Sequence, residues 1–163
     1  MMMLTTHPRI AKVLMQVTWV VGGIGLFFGF NALSSGQMTS AVQWVALWSV
    51  GGVGLLSFVR HAVFHRSDAV RMGWDLGKRN DFQIEVGFAN LAWGVVALVA
   101  SSLDWGTVTL GSLILVFGIY MLQAAVLHCC DRERNPQRLR AGSQLINLAY
   151  AVFLLWFAFS VLS

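Results

Sequence analysis

From Val13 to Val59 the sequence carries no Asp, Glu, Lys or Arg. A soluble domain cannot surround a run of that length with polar surface. The whole chain has the same character. Charged residues make up 11% of it, against roughly 25% in an ordinary soluble domain. Apolar residues make up 57%, and the mean hydropathy is +0.69. These values exclude a disordered chain, a disulfide scaffold and an ordinary soluble enzyme. A helix that crosses a bilayer needs about 20 mostly apolar residues. Five stretches meet that length, at about 11–33, 41–64, 82–101, 105–127 and 142–162. The sequence therefore predicts an all-α, polytopic membrane helical bundle of five transmembrane helices. They form one domain over residues 1–163. The first apolar stretch exceeds the roughly 7–15 residue core of a signal peptide. It is expected to be retained.

The charges then orient the chain. Basic residues gather in three places: Arg9 and Lys12; Arg60, Arg66, Arg71, Lys78 and Arg79; and Arg132, Arg134, Arg138 and Arg140. With five spans, all three regions fall on one side of the membrane. Basic connectors stay inside, so the N-terminus is expected inside and the C-terminus outside. In a soluble chain a net charge of +4 would suggest nucleic acid. Here the charge sits in connectors, so no nucleic-acid partner is expected. The partner is the lipid bilayer, with a homo-oligomer or a larger membrane complex left open. Cys129 and Cys130 are the only cysteines and are adjacent. A disulfide between neighbours closes a strained ring, so reduced thiols are expected.

The third apolar stretch is the most informative. At about 100° per residue, with Gln83 at zero, Gly87 falls near 40°, Asn90 near 340° and Gly94 near 20°. This seam of amides and small residues should face other helices, because an amide facing lipid is costly. Gln123, Gln144 and Asn147 in the later spans are candidates for the same interhelical network. The network reads either as helix glue or as a polar path for a small ligand. Glu85 falls on the opposite side, near 200°. Asn80 or Asp81 is expected to cap this helix. Glu85 is then either a dipole-matched acid paired with Arg60 or His61, or a functional intramembrane acid. Gly22, Gly25 and Gly29, and Gly51 and Gly54, are expected to let helices approach closely. Gln16 and Asn31 read as interfacial. Trp44, Trp74 and Trp105 read as belt residues. Asp68 and Arg71, three apart, suggest a short surface helix.

The stretch from His61 to Ala97 resembles a family of small bacterial inner-membrane proteins of unknown function. The family's pattern has a His ending one helix, then Ala and Ile-Gly-Trp, then Phe-Gln-x-Glu-Val-Gly-x-Ala-Asn-Leu. His61, Ala69, Gly73, Trp74, Phe82, Gln83, Glu85, Val86, Gly87, Ala89, Asn90 and Leu91 match it. Met72 replaces the Ile, and Asn80-Asp81 stands where Ser-Pro is usual. His128 fits a His that the family carries late in the next helix. The resemblance implies a bacterial inner-membrane location and brings no activity.

Topology places His61, His65, Glu85 and His128 at one membrane depth. His61 and His65, four apart, would share a helical face. Together the four make a candidate site for a transition metal, with Cys129 and Cys130 as additional thiolates. Alternatively, His61 and His128 make axial ligands for a b-type haem. Against both stands the ordinary reading of histidines as amphipathic residues at helix ends. No CxxC, P-loop, dinucleotide-binding or serine-nucleophile motif occurs. Three function classes follow: a structural or accessory subunit of a membrane assembly, a metal- or haem-binding membrane protein, and a small-solute or ion transporter.

Overall fold

A computed structural model describes residues 6–134 and 141–163. The helices are α1 (Pro8–Ser34), α2 (Met38–Val63), α3 (His65–Met72), α4 (Asp81–Ser102), α5 (Thr107–Arg134) and α6 (Ala141–Leu162). Among the described residues there is no strand. All of these helices except α3 contain a stretch long and apolar enough to cross a membrane. The architecture is that of an integral membrane protein. Of the basic residues that set the expected orientation, Arg138 and Arg140 lie outside the described residues, as do the side chains of Arg132 and Arg134.

In lipid, helices associate by close packing because the hydrophobic drive is absent. The glycines show where this happens. A Cβ on Gly54 of α2 would stand 2.7 Å from the Asn90 carbonyl oxygen and 2.8 Å from Gly94 Cα on α4. Lower on the same crossing, a Cβ on Gly87 would stand 2.7 Å from Ala62 Cβ. Gly22 of α1 lies under the Tyr150 ring of α6, and Gly25 lies against Ser49 of α2. Ser49 stitches these helices: its hydroxyl donates to the Gly22 carbonyl at 2.8 Å, and its carbonyl accepts from the Tyr150 hydroxyl. The mid-bundle core is apolar, with Val50, Val53, Ile114, Phe117, Leu154 and Phe157 buried.

Two features shape the basic end. α2 winds as a π-helix over Val45–Gly52 and again over Val59–Val63. It then breaks at Phe64 (φ −105°, ψ 32°). The wider winding changes the angular register from about 100° per residue. The i, i+4 rule therefore does not carry across from His61 to His65. The second feature is α3. Ser67 of α3 accepts from the Ala11 amide at 3.3 Å and donates to the His7 carbonyl at 2.5 Å. It thereby satisfies an amide that the first turn of α1 leaves open. α3 ends in a Schellman turn: Trp74 N donates to Ala69 O at 2.8 Å and Gly73 N to Val70 O at 3.1 Å. Gly73 takes the left-handed conformation this turn requires (φ 72°). The turn sends Trp74 back across the end of the bundle.

α3 is not the surface helix expected from Asp68 and Arg71. His65, Ser67, Asp68, Ala69 and Met72 are all buried. Spacings of three and four put His65, Asp68, Ala69 and Met72 on one helical face, and that face packs inward.

Candidate functional site

Asp68 is the centre of the basic end. Its side chain is 1% exposed, and both carboxylate oxygens are engaged. Oδ1 accepts from Arg71 Nε at 2.9 Å and lies 2.8 Å from Arg71 Nη2. Arg60 Nε approaches Oδ1 at 4.0 Å. Oδ2 accepts from Gln83 Nε2 at 2.8 Å and lies 2.8 Å from His61 Nδ1. Burial alone would push the Asp68 carboxyl up. His61, Arg60 and Arg71 outweigh burial and hold it well below the ordinary carboxylate range.

The same contacts fix the His61 tautomer. Arg60 Nη2 lies 2.7 Å from His61 Nε2. A guanidinium has only protons to offer, so Nε2 must accept. The ring hydrogen then sits on Nδ1, facing Asp68. His61 is a neutral relay between a cation and an anion.

Beside this cluster lies a cavity of about 50 Å³. Arg60, Asp68 and Arg71 form its charged wall, and His61, His128, Ser143, Gln144 and Asn147 form its polar wall. Met15, Met72 and Trp74 supply apolar surface. The Trp74 ring stacks on His128 with centroids 5.7 Å apart. Trp74 is therefore a wall of the cavity rather than a belt residue. The polar wall is held in place: Gln144 Nε2 donates to the His128 carbonyl at 2.9 Å, and Asn147 Oδ1 accepts from Trp19 Nε1 at 3.0 Å.

The residues singled out in the sequence separate into groups. Gln83 and Asn90 are buried. Asn90 Nδ2 bonds the Val86 carbonyl at 2.8 Å and the Tyr120 hydroxyl at 3.0 Å. Gln83 reaches Asp68, and Asn80 caps α4 by accepting from the Gln83 amide at 3.1 Å. Gln144 and Asn147 reach the cavity, while Gln123 is exposed. His61 and His128 share the cavity. His65 is buried elsewhere, with Nδ1 3.1 Å from the Ala62 carbonyl, because the π-turn and the break at Phe64 separate it from the His61 face. Glu85 is exposed and lines no part of the cavity. The acid that pairs with Arg60 and His61 is Asp68. Cys129 and Cys130 are exposed free thiols.

This arrangement does not gather the four candidate ligands in one place: His61 and His128 line the cavity, while His65 and Glu85 lie outside its lining. Among the described residues, no three His, Cys, Asp or Glu side chains form a group that can hold a metal. Both His61 ring nitrogens lie against charged groups, Nδ1 2.8 Å from Asp68 Oδ2 and Nε2 2.7 Å from Arg60 Nη2.

Sequence reasoning missed Asp68 and Arg71 as site residues, although their spacing with Ala69 and Met72 marked a buried face. Comparison with known proteins returns one family model. It is described as a family of unknown function, DUF6790, and it matches residues 10–162. No curated protein and no solved structure matches.

Proposed function

We propose that this chain, which belongs to the DUF6790 family of unknown function, is a membrane-embedded binding protein for a small polar solute. The observation that carries this reading is the cavity enclosed by Arg60, His61, Asp68, Arg71 and His128. A water needs roughly 10–15 Å³ of such space, so about 50 Å³ accommodates a solute of a few heavy atoms. Pockets between helices of a bundle, with a few convergent polar groups, are where small ligands bind. π-wound segments, such as the one that presents Arg60 and His61, recur at functional sites.

An accessory-subunit role was expected from small size and apolar helices alone. The cavity gives the bundle a recognition site of its own and favours binding. A through-path for transport is disfavoured by the mid-bundle core, which closes the axis with Phe117, Leu154 and Phe157, all fully buried. The test is a thermal-stability screen of small polar solutes on the purified protein. A ligand at 100 times its Kd stabilises the folded state by about 2.7 kcal/mol. Saturable stabilisation is expected in the wild type and not in Ser143→Leu, which fills the cavity wall. Equal shifts in both proteins would count against the cavity as the site.

The same reading places the protein in a bacterial inner membrane, N-terminus inside, with the cavity at the cytoplasmic end. The charge distribution supports the orientation, and the resemblance of the His61–Ala97 stretch supports the bacterial inner membrane. Cys129 and Cys130 are built-in reporters. A membrane-impermeant maleimide is expected to label them in inverted vesicles and to spare them in intact cells. In a cysteine-free background, Ser35→Cys is expected to show the opposite pattern. Labelling of the native pair from outside would reverse the orientation.

A further inference from the structure

We propose that the cavity takes a small oxyanion of carboxylate size. This rests on the solute-binding reading above and names the class of solute. Charge gives the first argument. Arg60 and Arg71 bring two cations, Asp68 brings one anion, and the hydrogen bonding of His61 makes it neutral. The walls therefore carry one positive charge in excess. Among the described side chains, the neighbouring acids do not cancel it. Asp75 is held by Arg66 at 2.9 Å and Asp81 by Arg79 at 2.5 Å. Glu85 is exposed and lies outside the lining. Arg60 and Arg71 are only 14% and 15% exposed. A buried, uncompensated cation is costly, and a monovalent anion would remove that cost.

Donor chemistry gives the second argument. Arg71 Nη1 points at Met15 Sδ at 3.2 Å, and Nη2 is shared between Asp68 and Met72 Sδ, the latter at 3.0 Å. A thioether is a weak acceptor. An oxygen anion in the cavity would exchange that contact for a charge-assisted bond of roughly twice the ordinary strength. His128 Nδ1 is buried without a hydrogen-bond partner, and in the tautomer that carries its hydrogen on Nδ1 it supplies a second donor. Met15, Met72 and Trp74 then face the non-polar end of the guest. Size sets the limit: about 50 Å³ suits a guest such as formate and not a sugar acid.

The test uses the full-length protein in nanodiscs of zwitterionic phosphatidylcholine, with gluconate as the buffer anion. Equilibrium dialysis is run with ¹⁴C-formate and with ¹⁴C-formamide, which matches formate in shape and lacks its charge. Saturable binding of formate, with formamide bound at least about tenfold more weakly, is the expected result. One lost charge-assisted contact of about 1.4 kcal/mol corresponds to that factor. Arg71→Gln is expected to weaken formate binding by a similar factor or more. Ser143→Leu, which puts a larger apolar group on the cavity wall without removing a charge, is expected to abolish it and keeps the test valid if Arg71→Gln fails to fold. Binding of formamide in preference to formate would overturn the anion assignment while the solute-binding reading stands. Binding of neither would overturn the oxyanion proposal, and the solute-binding reading then falls with it only if the stability screen also finds no ligand. Formate binding unchanged in Ser143→Leu would place the anion outside the cavity and overturn the proposal.

Discussion

Asp68→Ala is expected to destabilise the protein by about 3–5 kcal/mol, the range for removing one partner of a buried ion cluster. The reason is what remains. Arg60 and Arg71 would keep their charges in a site where they are 14% and 15% exposed, with no carboxylate to answer them. Gln83 Nε2 would lose its acceptor, and α3 would lose the contact that ties it to α2 and α4. Asp68→Asn keeps the shape but turns one acceptor into a donor facing other donors, so it is expected to rescue little. Glu85→Gln serves as the contrast. Glu85 is exposed, and its neutralisation is expected to stay within about 0.5 kcal/mol. Thermal unfolding in mild detergent measures all three. Asp68 also sets a pH dependence. Its carboxyl is depressed in the folded protein, so its contribution is present above the unfolded value of about 3.9. It is lost as pH falls through the folded value. Stability from this group is therefore flat across neutral pH and declines below about pH 4. An Asp68→Asn protein is expected to lack that decline.

Gly54→Val is the second large effect. The new Cβ would stand 2.7 Å from the Asn90 carbonyl oxygen and 2.8 Å from both Gly94 Cα and Gly94 N. These are backbone atoms of α4, so no side-chain rotation relieves the clash and the two helices must separate. Overpacking costs about 1–3 kcal/mol where side chains can yield, and more where they cannot. A loss of at least about 3 kcal/mol is expected on that scale. Separation of α2 from α4 would also draw Gln83 away from Asp68. Gly23→Ala is the matched control, because its added Cβ meets nothing within 4 Å. A Gly54→Val protein as stable as wild type would contradict the close crossing.

The spans were legible because the bilayer imposes a length that the uncharged runs meet directly. The α4 seam was legible in the same way: Gln83, Gly87, Asn90 and Gly94 fall on one side of a regular helix, and all four are buried. The site was less legible, for two physical reasons. The i, i+4 argument for His61 and His65 assumes α-helical winding, and α2 is π-wound over Val59–Val63. No composition signal announces that change. The acid was misplaced because a short, charge-rich helix between spans reads as solvent-facing. Asp68 is buried only because Ser67 anchors α3 to the start of α1 and the Gly73 turn folds Trp74 over His128. Those contacts are tertiary. The i, i+3, i+4, i+7 pattern of His65, Asp68, Ala69 and Met72 was the available clue.

On this proposal the basic end of the bundle is a binding chamber organised by Asp68, and not an ion cluster that only holds helices together. The most direct measurement is a high-resolution structure of the full-length protein in lipid nanodiscs, determined with formate in the buffer. Non-protein density is expected between Arg71 and His128, within hydrogen-bond distance of both, with Arg71 Nη1 turned from the Met15 sulfur toward it. A chamber collapsed around the Asp68 cluster, with Arg71 still on Met15 and no room between Trp74 and His61, would contradict it.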